Sequence, residues 1–216
     1  MMAIASKLTS FGIIAFSFAI GFLSLYYFSD LTKDEKKKHL EELLSQIINF
    51  VLLIWLGKII LNISGFLSDP LSVLAYPSDS KAFYFAIVSI AVLLLYKAKR
   101  KNLHVLPLFE SFAHFFLISS FVYEFIQFMI KDNRYAFGQL LLLAFLIGVF
   151  FFLRERIKVT ILLMAIVAVW SAGMIILGFM QPFVTVFGYL MAPWFIVLFF
   201  VASMLGLTFK LRIDDI

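Results

Sequence analysis

Three ionisable residues lie inside an apolar run that is long enough to cross a membrane. Glu110, His114 and Glu124 occur within 106–130, and at about 100° per residue they fall within about 40° of one helical stripe. Ionisable groups at membrane depth are costly unless they face a protein interior. A histidine between two carboxylates can relay protons, act as a general base or share a cation, and it can also join neighbouring helices by hydrogen bonds.

Further polar side chains lie in the neighbouring apolar runs. Lys58 and Asn62 are spaced to share one helix face. Lys58 is expected about 12 Å from the outer end of its span, a depth that favours a buried partner or a lipid phosphate over an extended side chain at the interface. Gln127 and Gln139 are expected in the outer half, where their amides can contact a ligand or join helices.

The composition excludes several classes of function. The chain of 216 residues is 63% hydrophobic and only 14% charged, and its mean hydropathy is +1.04, which is far from that of soluble domains. No cysteine is present, so disulfides and thiolate chemistry are excluded. The three histidines have no metal-ligand spacing, and basic residues lie in short loops. We therefore expect no metal, no cofactor and no nucleic-acid partner.

Hydropathy predicts an all-α, polytopic membrane protein that forms a single domain over 1–216. Most of its apolar segments reach the roughly 20 residues that a transmembrane helix needs. The seven predicted spans are about 8–28, 43–66, 82–97, 104–130, 136–153, 159–180 and 184–208.

The distribution of basic residues predicts the orientation. Thirteen basic residues follow the first, third, fifth and seventh spans, against four in the remaining exposed segments. Because cytoplasmic loops carry the excess of Lys and Arg, the N-terminus is expected outside and the C-terminus in the cytoplasm. The preference for Phe, Ile and Lys suggests an AT-rich bacterial genome, and hence a bacterial plasma membrane.

An ordered series of short segments resembles a known membrane-enzyme family. The segments are Ser10-Phe11-Gly12, Leu56-Gly57, Asp69-Pro70-Leu71, Phe125-Ile126-Gln127, Gly138-Gln139-Leu140 and Val186-Phe187-Gly188-Tyr189-Leu190. In this order they resemble the prolipoprotein diacylglyceryl transferase family, which moves diacylglyceryl from phosphatidylglycerol onto a lipobox cysteine. The resemblance covers nearly the whole chain and implies the same seven-span topology.

The residues that carry the family's reaction are not found here. Phe11 replaces its tyrosine, no His-Gly-Gly motif is present, and its two arginines correspond to Phe121 and to the vicinity of Gly173. Neither Phe nor Gly can hold a lipid phosphate as a guanidinium does. The resemblance therefore implies a protein without transferase activity.

We expect a catalytically inactive, diacylglyceryl-transferase-like protein that binds a membrane phospholipid, candidates including phosphatidylglycerol, the lipid substrate of that family. Its partner is alternatively a lipoprotein or another membrane protein. Two alternatives stay open. The first is a divergent transferase in which Glu and His took over proton abstraction, and the second is a structural or transport subunit of a membrane complex.

The predicted orientation can be tested with reporter fusions along the chain. Because each span reverses the direction of the chain, fusions after Lys38, Lys101 and Lys158 should report the cytoplasm. Fusions after Asp79 and Asp132 should report the outside. The opposite pattern at these sites would refute the N-out orientation.

Overall fold

The computed structural model describes residues 2–28, 33–70, 73, 80–101 and 105–214. Long helices and one short β-hairpin follow one another along these residues. The elements are α1 (Met2–Phe28), α2 (Lys33–Leu61), α3 (Ile63–Ser68), α4 (Ser80–Lys101), α5 (Val105–Met129), α6 (Ala136–Leu153), α7 (Val159–Met180), β1 (Thr185–Val186), β2 (Tyr189–Leu190) and α8 (Pro193–Asp214).

Seven helices in the described part of the chain are long and apolar enough to cross a membrane, namely all except the short α3. The prediction of an all-α, seven-span protein is therefore confirmed, and the chain is a multi-pass membrane protein. Two helices, α6 and α7, have the bounds that hydropathy predicts, since each is a continuous apolar run with charged residues next to it.

The second span differs from its prediction at both ends. Helix α2 begins at Lys33, well before the expected start near 43. The carboxylates of Asp34 and Glu35 in its first turn stabilise the helix, because they lie at the positive end of its dipole. Lys37 and Glu41 form an ion pair at 3.9 Å across one helical turn. At its other end α2 stops at Leu61, and residues 63–66 of the predicted span belong to α3, which begins directly after an interruption at Asn62.

The last span also begins later than predicted. Residues 184–192 were expected to be helical, but they contain the β1–β2 hairpin, and α8 starts only at Pro193. Proline suits the first position of a helix because its missing N–H would have no partner there. Phe187 and Gly188, at φ 49° and 83°, form the two-residue turn, in which both residues need positive φ.

One compact unit of the chain comprises Thr32–Leu108. In this unit α2 and α4 run antiparallel. Lys97 Nζ lies 3.5 Å from Glu42 Oε1 near one end of the pair. Near the other end, a Cβ built on Gly57 would lie 3.2 Å from the carbonyl oxygen of Ala82, so the two backbones approach closely there.

The other compact unit comprises Met1–Leu31 and Phe109–Ile216. It holds α1, most of α5, α6, α7, the hairpin and α8. Helices α5, α6 and α7 share a core of large apolar side chains that exclude both lipid and water. The core residues are Leu117, Leu143, Leu146, Phe150, Leu162 and Ile166.

Helix α1 packs antiparallel against α5 in this unit. Ile13 near the start of α1 contacts Tyr123 near the end of α5, whereas a Cβ built on Gly21 would clash with Ser119 Oγ and lie 3.1 Å from the Phe115 carbonyl oxygen. Glycine at position 21 therefore permits the close approach of the two helices. Small residues have this role in membrane bundles because packing replaces the hydrophobic driving force between helices.

The substitution Gly21→Ala tests this contact. Forcing a methyl group against the α5 backbone should lower the free energy of unfolding in detergent by about 1–3 kcal/mol. Gly12→Ala is the matched control on the same helix, because a Cβ there meets nothing within 4 Å, and alanine should leave stability unchanged or raise it by up to about 1 kcal/mol. Equal effects of the two substitutions would contradict the close α1–α5 contact.

Candidate functional site

Glu110, His114 and Glu124 lie on one face of α5, but they do not form a single site. Glu110 and Glu124 are about 21 Å apart along the helix axis, at 1.5 Å per residue. His114 lies between them, about 15 Å from Glu124 by the same measure. Each of the three side chains has its own partners, and these come from different elements of the same unit.

Glu110 forms an ion pair near the end of the bundle. Arg154 Nε donates to Glu110 Oε1 at 2.9 Å, and Arg154 Nη1 donates to the carbonyl oxygen of Phe28 at 3.4 Å. Arg154 follows α6 directly, and Phe28 is the last residue of α1. One guanidinium thus connects α1, α5 and α6, and Glu110 has the role of a helix-joining residue.

His114 is buried, with 2% of its surface exposed. A hydrogen bond of 2.9 Å joins its Nε2 to Ser24 Oγ of α1. The rings of Phe150 and Phe151 pack edge-on against the imidazole, with centroid distances of 5.9 and 5.1 Å. This apolar enclosure and the single hydroxyl partner favour a structural role that joins α1 and α5.

Glu124 is also buried, with 4% of its surface exposed, and it contacts the amide of Gln139. In the amide orientation that satisfies both ends of the side chain, Gln139 Nε2 donates to Glu124 Oε1 at 3.0 Å and to the carbonyl oxygen of Thr185 at 3.0 Å, while Gln139 Oε1 accepts from Thr185 N–H at 3.2 Å. The amide of Gln139 on α6 therefore connects the carboxyl group of α5 to the backbone of β1.

The hairpin enters the interior of this unit. Phe187 at its tip lies with ring centroids 5.1 Å from Phe18, 5.5 Å from Tyr123 and 6.1 Å from Phe116. Phe18 and Phe116 are near the middle of α1 and α5. Non-helical backbone at such depth is tolerated where protein covers it and its polar groups are bonded. The two bonds from Gln139 to Thr185 meet this need for one residue of β1.

A small polar pocket lies beside this network. Its polar lining comes from Ser120, Glu124, Gln139 and Thr185, and both aromatic and aliphatic side chains form the remainder. Its volume of about 10 Å³, taken as the space open to the centre of a water molecule, admits about one water. Ser120 Oγ is buried and has no hydrogen-bond partner among the described residues.

Gln127, the other glutamine predicted to contribute to the site, lies outside the network of Glu124, Gln139 and Thr185. Gln127 is half-buried, and its backbone carbonyl accepts a hydrogen bond from Asn133 N–H at 3.1 Å. That bond closes the turn after α5. Gln127 lies on the turn of the helix that follows Glu124, so it remains near the pocket rather than in its lining.

Lys58 and Asn62 belong to the other unit and form a different arrangement. Lys58 is buried in the last turn of α2, and Asn62 follows that helix rather than continuing it. Asn62 Nδ2 donates to the carbonyl oxygen of Lys58 at 3.1 Å, so the amide caps the helix end. The Asn62 N–H also donates to the Lys58 carbonyl oxygen at 3.1 Å, so the two residues lie one helical turn apart. Lys58 lies about one turn from the end of α2 at Leu61.

The partners that define the site could not be found from the sequence. Ser24, Arg154 and Thr185 lie far along the chain from the residues they bind, and no spacing rule joins them. The hairpin had a weak local signal, since Phe187-Gly188 stands between strand-forming residues, and glycine is favoured in such a turn. Within the described residues, no group of three or more His, Cys, Asp or Glu side chains is placed to hold a metal ion.

No protein-family model, curated protein or solved structure significantly matches this chain. Its fold and its site define it as a multi-pass membrane protein with a buried Glu–Gln–hairpin network.

The role of Gln139 can be tested by Gln139→Leu. This substitution leaves the Thr185 backbone groups and Glu124 without their amide partner, at a cost of about 1–3 kcal/mol for each unsatisfied buried group. Amide hydrogen exchange of residues 184–191 should accelerate about 5- to 150-fold. Gln181→Leu is the control, since its amide donates to the exposed Tyr135 carbonyl oxygen, and it should leave exchange of the hairpin unchanged. Unchanged exchange in Gln139→Leu would contradict the anchoring role.

Proposed function

We propose that this chain is a non-catalytic binding protein of a bacterial plasma membrane, with a diacylglyceryl-transferase-like architecture, that holds a membrane phospholipid or a lipid-bearing protein partner. The observation that supports binding over catalysis is the separation of His114 from Glu124. Acid–base catalysis requires both groups within hydrogen-bond reach of the reacting atoms. At about 15 Å along one helix, these two side chains cannot act on a single substrate atom.

The partners of both residues support the same proposal. His114 is bonded to Ser24 and enclosed by aromatic rings, so its imidazole is not directed into a cleft. Glu124 contributes to the hairpin network through Gln139. The charges expected of a transferase are replaced by Phe121 and, near the second position, Gly173, so the alternative of a divergent transferase has less support.

The polar lining of the pocket favours hydroxyl donors in a ligand. The Glu124 carboxyl group and the carbonyl oxygens beside it accept hydrogen bonds, so they suit the glycerol hydroxyls of a phosphatidylglycerol headgroup better than its phosphate. Because the pocket admits about one water, a headgroup must displace the hairpin, and Gln139 is the side chain that resists this. Lys58 and Asn62, in the other unit, form a separate candidate contact for a lipid phosphate.

A second function is supported by the remaining polar contacts. The Glu110–Arg154 ion pair and the His114–Ser24 hydrogen bond join α1, α5 and α6. Residues that only hold helices together are what a structural subunit of a membrane complex requires. In that case the polar stripe of α5 would stabilise the bundle without binding any ligand.

Two substitutions separate these functions, with two measurements on each. Native mass spectrometry of the protein extracted from membranes measures retained phospholipid, and thermal unfolding in detergent measures stability. In sodium-free buffer, Glu124→Gln should lower lipid retention about tenfold or more at nearly unchanged stability. His114→Phe should lower stability by about 0.6–2 kcal/mol and leave lipid retention unchanged.

The contrary results are equally specific. Parallel loss of stability and retention in both variants, or loss of neither, would favour the structural subunit. Rescue of a transferase-depleted strain by this chain would favour the divergent enzyme.

A further inference from the structure

The pocket beside Glu124 has more hydrogen-bond acceptors than donors. Both N–H groups of Gln139 are used, one by Glu124 and one by the carbonyl oxygen of Thr185. The second carboxylate oxygen of Glu124 remains, together with the second lone pairs of the Gln139 and Thr185 carbonyl oxygens. An excess of oxygen acceptors around a small space selects a cation over an anion.

Ser120 provides an independent sign of a ligand. A serine hydroxyl in a membrane helix usually bonds to its own helix backbone, as Ser17 Oγ does with the Ile13 carbonyl oxygen and Ser203 Oγ with that of Phe200. Ser120 is 7% exposed, its Oγ has no partner among the described residues, and it lines this pocket. It lies one helical turn before Glu124, so both side chains face the same space.

Charge and size restrict the occupant. Within the described residues, Glu124 has a neutral amide partner and no cationic side chain at ion-pair distance. A buried carboxylate without compensation is costly at membrane depth, and one monovalent cation would balance its charge, whereas a divalent ion would leave an excess. The volume of about 10 Å³ admits one body the size of a water molecule.

We propose that Ser120, Glu124, Gln139 and Thr185 form a binding site for one Na⁺ ion. The ion neutralises the Glu124 carboxylate, and that carboxylate orients the amide that holds the hairpin. Occupancy of the site therefore stabilises the hairpin in its inserted position. This site does not depend on the proposed lipid binding, because it requires only the residues that line the pocket.

The test measures thermal unfolding of the purified full chain in detergent, with NaCl replaced by choline chloride at constant ionic strength. Na⁺ at ten times its dissociation constant should raise the unfolding midpoint by about 3–6 °C, whereas choline, which is too large for the pocket, should have no effect. Binding of radioactive Na⁺, displaced by unlabelled NaCl and not by choline chloride, provides a second measurement on the unmodified protein.

Matched variants assign the effect to the pocket. Glu124→Gln keeps an acceptor for Gln139 and removes the charge, so the Na⁺-dependent shift should be lost. Ser120→Ala should raise the Na⁺ concentration needed for half of the shift about tenfold. Ser119→Ala is the control, because this hydroxyl is also buried and has no hydrogen-bond partner in the part of the chain that the structure describes. It faces Gly21 instead, so the shift should be retained.

Three results would overturn the proposal. The first is absence of both a Na⁺-dependent shift and displaceable Na⁺ binding in the unmodified protein, which is expected if the pocket holds only water or if Glu124 carries a proton. The second is an equal shift in Glu124→Gln, and the third is equal weakening by Ser119→Ala and Ser120→Ala. Lipid retention is measured separately, so failure here leaves the proposed function to its own test.

Discussion

Backbone N–H and C=O groups at membrane depth must find partners within the protein, because the hydrocarbon offers none. Helices satisfy this need by themselves, but the hairpin between α7 and α8 does not. Its two strands pair Thr185 with Leu190 and Val186 with Tyr189, and the Met191 N–H donates to the Val184 carbonyl oxygen at 2.9 Å. The amide of Gln139 bonds to the backbone N–H and C=O groups of Thr185, which point away from the other strand. The aromatic side chains around Phe187 cover the tip of the hairpin. The buried carboxyl group of Glu124 is positioned by the same amide.

The polar residues of the larger unit thus divide into two kinds. Glu110 and His114 each bind a polar group on another helix or directly after it, a guanidinium in one case and a hydroxyl in the other. Such pairs fix the relative positions of helices. Glu124 and Ser120 are different because their remaining hydrogen-bonding capacity is directed into a common space. Unused capacity inside a bundle is where a ligand gains most from binding, since the cost of burying these groups has already been met by folding.

Much of the architecture followed from hydropathy, and the errors have physical causes. The bounds of α6 and α7 were predicted because uninterrupted apolar runs have charged residues beside them. The prediction failed for 184–192, where an apolar segment is covered by protein instead of lipid, so its hydropathy is that of a span although its backbone is a hairpin. At Asn62, whose amide bonds to the Lys58 carbonyl oxygen, the helix is interrupted inside an apolar run before α3 follows.

The sequence by itself determined the seven spans and the stripe of Glu110, His114 and Glu124, because helix periodicity and the cost of charge in hydrocarbon act locally along the chain. Only the tertiary structure decided what each member of that stripe does. Their partners Arg154, Ser24 and Gln139 come from other helices, and contacts between distant segments leave no periodic signal. Packing places the Arg154 cation beside the carboxyl group of Glu110 and the Gln139 amide beside that of Glu124. This difference makes Glu110 a structural residue and Glu124 a candidate binding residue.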